Sequence, residues 1–168
     1  MDAARTKATT ALWRSAGAGK AVQVTPDGWN VNSPALSPDG KTVYFLSGKN
    51  GSSQLYAIPL AGGTPRQLTD FVIDVDGYKL SPDGSRAAFA LSTFADCAAD
   101  LACTKKRLDD TAASKASGVL YDRLFVRHWD TWADGRYNRV FIAPLDGEKA
   151  AKAVLVGGEL KGDIPSKP

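Results

Sequence analysis

A chain of 168 residues, 43% hydrophobic and 23% charged, is long enough for a core of its own and too apolar for wholesale disorder. Its formal net charge of +3 comes from lysines and arginines scattered among acids, which excludes the basic stripe that nucleic-acid binding requires. No apolar run approaches the roughly 18 residues of a membrane-spanning helix.

The 16 glycines and 9 prolines sit mostly in turn-like clusters, a distribution that favours many short strands over a few long helices. Met1-Asp2-Ala3-Ala4-Arg5 leads into polar residues and does not read as a secretory leader, so export needs a leader upstream. Ala11–Arg14 and Ala21–Val24 read as the last two strands of a preceding blade, whose end covers residues 1–28. Between them, Gly17-Ala18-Gly19-Lys20-Ala21 only faintly resembles a phosphate loop. Arg14 stands where the first glycine belongs, and Ala21 replaces the magnesium-binding Ser or Thr, so a turn is expected.

Internal similarity carries the fold. Leu36-Ser37-Pro38-Asp39-Gly40 recurs 44 residues later as Leu80-Ser81-Pro82-Asp83-Gly84, with Phe45 matching Phe89, and Thr25-Pro26-Asp27-Gly28 reads as a partial third copy. Proline presets φ for the turn, the aspartate accepts from nearby N–H groups and glycine takes a positive φ. Each full copy precedes a strand, Thr42–Leu46 or Arg86–Leu91, apolar on nearly every residue, as suits a sheet covered on both faces. Gln54-Leu55-Tyr56-Ala57-Ile58-Pro59-Leu60 also recurs, as Arg139-Val140-Phe141-Ile142-Ala143-Pro144-Leu145, at an offset of 85. The excess over 44 measures an insertion in the second unit.

A period of about 40–45 residues is that of a four-stranded propeller blade. The expected fold class is therefore all-β, a partial β-propeller of four-stranded antiparallel blades. One blade covers 29–71, with strands near 30–36, 42–47, 54–59 and 65–69. A second covers 72–158, with the insertion at about 92–138, and 159–168 leads into a further blade. A propeller closes as a ring of about 4–8 blades, and two blades leave apolar faces bare. The expected partners are accordingly further blades or a second copy of the chain.

The insertion holds the non-repetitive residues. Its first half is polar and alanine-rich and is expected to carry a short helix; the Lys105-Lys106-Arg107 cluster reads as solvated charge. Cys97 and Cys103 either close a disulfide, which suits an oxidising compartment, or stand as reduced thiols, and both readings are open. Two cysteines and one histidine do not make a zinc site, and Asp74-Val75-Asp76-Gly77 lacks the later ligands of a calcium loop, so no metal or cofactor is expected. The second half is aromatic, Tyr121 to Trp132, followed by turn residues at Ala133-Asp134-Gly135-Arg136. Within it Arg127, His128, Trp129 and Asp130, with Asp122 nearby, form the candidate substrate-binding group: charged groups against aromatic walls can anchor a peptide end. The competing reading is a structural hairpin with Arg127 paired to Asp130. No G-x-S-x-G sequence occurs, and nothing partners His128 as a catalytic base, so no catalytic residue is assigned.

The Leu-Ser-Pro-Asp-Gly repeats resemble the propeller repeats of the prolyl oligopeptidase family of serine peptidases, and TolB-like propellers share them. The stretch from Asp96-Cys97 through Ser114-Lys115-Ala116-Ser117-Gly118 and Tyr121–Asp130 to Trp132-Ala133-Asp134-Gly135 is similar to the bacterial dipeptidyl-peptidase and acylaminoacyl-peptidase branch. The resemblance implies an α/β-hydrolase domain elsewhere in the parent that supplies a Ser-Asp-His triad. It implies a propeller that roofs the catalytic cavity, admits short peptides and excludes folded proteins. It also implies an acidic side chain on the substrate amine, for which Asp130 and Asp122 are candidates. The expected setting is a bacterial periplasm or cytoplasm, with the periplasm favoured. The alternative is a TolB-like propeller that scaffolds a protein partner without peptidase activity; a stand-alone small β enzyme lacks both nucleophile and metal ligands.

Overall fold

The computed structural model describes residues 8–116, 118, 121, 127–128, 131–145, 153–158 and 160–164. The two Ser-Pro-Asp-Gly segments form the same turn. The Ser37 and Ser81 hydroxyls donate to the Asp39 and Asp83 carboxylates at 2.5 Å, and each carboxylate also accepts the N–H of Lys41 or Ser85. The turns close through Gly40 N–H to Ser37 O and Gly84 N–H to Ser81 O, both 2.9 Å, with φ of +69° and +72° at the glycines. Gly84 comes so close to Pro38 that a Cβ there would meet the proline ring at 3.1 Å. The two turns are therefore in contact.

From these turns the strands run as two antiparallel meanders. The first sheet is ordered β3 (Val31–Leu36), β4 (Thr42–Ser47), β5 (Gln54–Pro59), β6 (Arg66–Gln67). The second is ordered β7 (Gly77–Leu80), β8 (Arg86–Phe94), β11 (Arg136–Pro144), β12 (Val154–Val156). A short hairpin, β1 (Trp13–Arg14) with β2 (Val22–Gln23), precedes them, and the Gly17–Lys20 segment turns between its strands. This is a partial all-β propeller.

Side-chain alternation explains the stacking. Val43, Phe45, Tyr56 and Ile58 on one face of the first sheet bury against Val24 and Leu12, with the Trp29 ring edge-on to Phe45 and Tyr56 at 6.1 and 5.1 Å. Leu46, Leu55 and Ala57 on the other face meet Ala87, Phe89, Leu91, Phe141 and Ala143 of the second sheet. The far face of the second sheet carries Ile142, Val154 and Val156, which are exposed, and no described residue covers it. At the inner strands, the Tyr78 hydroxyl donates to Ser33 O at 2.9 Å. Ser33 lies at an irregularity of β3, with φ +49°.

Two expectations are corrected. The insertion is shorter than 92–138, because β8 and β11 stay paired as far as Phe94 opposite Arg136. Residues 92–94 and 136–138 therefore belong to the blade. Thr25-Pro26-Asp27-Gly28 is not a third Ser-Pro-Asp-Gly turn. Thr25 instead corresponds to Thr69: Leu12 N–H donates to the Thr25 hydroxyl as Leu55 N–H does to that of Thr69, and the Gln23 and Gln67 amides each donate to the carbonyl two residues on, at 2.7 Å. Gln23-Val24-Thr25 and Gln67-Leu68-Thr69 are thus the true copies, and β1 and β2 match β5 and β6.

The crossover between sheets is held by one buried side chain. The Gln54 amide nitrogen donates to Phe71 O and Ile73 O, and its oxygen accepts from the Thr69 hydroxyl and Phe71 N–H. Asp74 then accepts Ser53 N–H, and Val75 N–H donates to Ser53 O. The same docking recurs after the second sheet, where Asp163 accepts Asn138 N–H and Ile164 N–H donates to Asn138 O. The expected lead into a further blade therefore begins in register with the first crossover; residues 165–168 lie outside the described residues.

Replacing Gln54 by alanine strands several buried partners and is expected to cost about 3 kcal/mol, a fall in Tm of roughly 6–12 °C in a melt followed by circular dichroism. The carboxyls of Asp39 and Asp83 are held below the usual carboxylate range, chiefly by the Ser37 and Ser81 hydroxyls. Their contribution to stability is present above the unfolded pKa of about 4 and is lost as pH falls below it. The Tm gap between wild type and an Asp39→Asn, Asp83→Asn variant should accordingly be widest near neutral pH and close in acid.

Candidate functional site

The insertion leaves the blade after Phe94 and is tied down at once. Cys97 and Cys103 form a disulfide, Cα atoms 5.6 Å apart, across the start of α1 (Leu101–Ala113). Asp100 caps that helix by accepting Cys103 N–H at 3.0 Å. Leu101 and Leu108 pack on the core between the sheets. Arg107 grips Asp96 with Nη1 at 2.6 and 2.7 Å and lies over the Phe94 ring at 4.1 Å, and it holds the Asp96 carboxyl below its ordinary range. Gly135, on the returning chain, lies against the edge of the same ring, since a Cβ there would sit 3.7 Å from it. Phe94 is thus gripped between the two ends of the insertion. Lys105 and Lys106 pair with Asp109 and Asp110 one turn on, so the basic cluster is solvated helix surface.

Beyond the helix, β9 (Arg127–His128) and β10 (Thr131–Trp132) form a tight hairpin, with Trp132 opposite Arg127 and Thr131 opposite His128. The Arg127 guanidinium lies 5.3 Å from the centre of the Trp132 ring. Tyr121 stacks on the same ring at 5.8 Å with 25° between planes. Trp132 remains 55% exposed, and the result is an open platform of cation, indole and phenol. Such a surface takes apolar or aromatic side chains of a peptide.

Of the residues the sequence singled out, the structure places Arg127 in this platform and His128 beside it in the backbone ladder. Asp122, Trp129 and Asp130 lie outside the described residues. Trp132 and Tyr121 were not singled out; only the pairing of β9 with β10 shows Trp132 to be the cross-strand partner of Arg127. Among the described residues no cluster of His, Cys, Asp or Glu is arranged to hold a metal ion, and no helix is long and apolar enough to cross a membrane. A second, shallow groove between the inner strands, lined by Ser33, Leu36, Tyr78, Lys79 and Pro82, lies near the Ser-Pro-Asp-Gly turns and carries no charged constellation.

No family model matches the chain. Dipeptidyl-peptidase 5 of Porphyromonas endodontalis is 29% identical over 138 residues, 81% of this chain and 18% of that protein. Its counterpart in Porphyromonas gingivalis is 28% identical over 147 residues, 87% of this chain and 20% of that protein. Over most of its own length the chain is thus similar to dipeptidyl-peptidase 5. It spans about a fifth of the length of these dipeptidyl-peptidase 5 relatives. The acylaminoacyl peptidase of Pyrococcus horikoshii shares the fold, with a TM-score of 0.55 at 12% identity over 83% of this chain and 19% of that one. The family resemblance carried by the repeats and insertion is thus met by relatives that are themselves peptidases.

Reduction of the Cys97–Cys103 bridge, or a Cys97→Ala, Cys103→Ala variant, is expected to cost roughly 2 kcal/mol through the short loop it closes. Hydrogen exchange should show the loss of protection at α1 and not in β4 or β5.

Proposed function

We propose that this chain is part of the propeller of a serine exopeptidase, a dipeptidyl or acylaminoacyl peptidase, where it gates and helps hold short peptides while a hydrolase domain supplies the chemistry. The observation that carries the reading is the reach of the match. At 138–147 residues it extends beyond any single blade and takes in the insertion as well as the repeats, as a generic scaffold propeller would not require. The exposed Arg127–Trp132–Tyr121 platform supports it by offering a peptide a flat, cation-backed aromatic surface. Its partners on this reading are further blades against the bare face of Ile142, Val154 and Val156, an α/β-hydrolase domain, and short peptides; with the other blades missing, the same face pairs with a second copy. The disulfide favours an oxidising setting such as the periplasm.

The purified chain should bind short peptides without hydrolysing dipeptidyl or acyl-aminoacyl coumarin substrates. Trp132→Ala should weaken peptide binding, measured by calorimetry, roughly 5–10-fold while leaving Tm unchanged. Turnover blocked by a serine-directed inhibitor would overturn the reading. Peptide affinity indifferent to Trp132 would return the hairpin to a structural role and favour a TolB-like scaffold.

A further inference from the structure

Arg139 stands in the second blade where Gln54 stands in the first, in the recurrence at offset 85. Gln54 is a neutral amide with both ends paired. Arg139 is 4% exposed and carries a charge it cannot shed. It uses one group, donating from Nη1 to Gly158 O at 3.1 Å. Its Nε and Nη2 are buried without a hydrogen-bond partner. These two N–H groups lie side by side on one edge of the guanidinium, the edge that grips two oxygens at once.

The surroundings lack what the first blade provides. Leu155 lies opposite Phe141 as Gln67 lies opposite Tyr56, so Gly157 takes the place of Thr69 and no hydroxyl answers that of Thr69. Gly158, whose carbonyl Arg139 holds, has no side chain, and a Cβ built there would meet nothing within 4 Å. Thr93, opposite Tyr137 on the face that Arg139 shares, has a buried hydroxyl that is also unpaired. Arg136 is already bound to Asp134, so it adds no free charge.

We propose that Arg139 is the core of a carboxylate-binding site, in which its Nε–Nη2 edge takes both oxygens of one carboxylate seated beside Gly158. One positive charge and two parallel donors match a single planar monoanion better than a phosphate dianion. The site stands apart from the aromatic platform and does not depend on the peptidase reading.

The test is a thermal melt of the full chain in sodium formate, acetate, chloride or sulfate at matched ionic strength. Formate and acetate should raise the Tm by about 2–4 °C over chloride through the site, whereas sulfate, which stabilises folded proteins generally by exclusion from their surface, should raise that of wild type no more than that of the Arg139 variants. Arg139→Met should abolish the response and, in chloride, be at least as stable as wild type, because it removes a buried charge with no partner. Should that variant fail to fold, Arg139→Lys, which keeps the charge without the fork, should fold and lose the response. A carboxylate response that survives either substitution, a sulfate response that either substitution removes, no response in wild type, or an Arg139→Met variant that folds but is clearly less stable in chloride would overturn the proposal.

Discussion

Both four-stranded sheets among the described residues are apolar on both faces, and a sheet of that kind is stable only between two others. The first blade meets the condition. Phe45, Tyr56 and Ile58 are sealed by the preceding hairpin, and Leu46, Leu55 and Ala57 by the second blade, each of the named residues being at most 7% exposed. At about 25 cal/mol per Å² of apolar surface removed from water, this two-sided burial is the main term holding the strands. The hydrogen-bonded turns add direction more than energy. The second blade is sealed on one face only, so its packing is complete only with a neighbour.

Stacking alone does not set how one blade follows the next. That is done by a small polar device, complete at the end of the first blade, in which the Thr69 hydroxyl caps Leu55 N–H, Gln67 holds the Thr69 carbonyl, and Asp74 on the entering chain accepts Ser53 N–H. In the second blade the device is altered by Arg139 and the two glycines, while the aspartate catch is kept through Asp163.

What could be read from the residues follows from this division. The Ser-Pro-Asp-Gly turns are contiguous and chemically demanding, so their recurrence revealed the blade period. The apolar strands that follow them were equally plain. Gln23-Val24-Thr25 escaped notice because its partner, Gln67-Leu68-Thr69, shares only two identical residues and is recognisable by its bonds. The insertion was placed too wide because β8 and β11 continue through polar residues, Ser92, Thr93 and Asn138, that break the apolar pattern without breaking the ladder. In the candidate site, composition marked the aromatic stretch but not which rings meet. Arg127 reaches Trp132 across the hairpin, and Tyr121 reaches it from eleven residues away in sequence, a proximity that exists only in three dimensions.

The contact between Gly84 and Pro38 has a consequence for the geometry of the ring. Because no side chain intervenes, one turn rests directly on the next, and the wedge angle between neighbouring blades is set there by the thickness of a proline ring. Any residue larger than glycine at 84 acts as a shim at that edge, tilting the sheets and changing the curvature of the ring. The missing methyl group thus lets the two sheets approach at that edge more closely than any side chain there would allow.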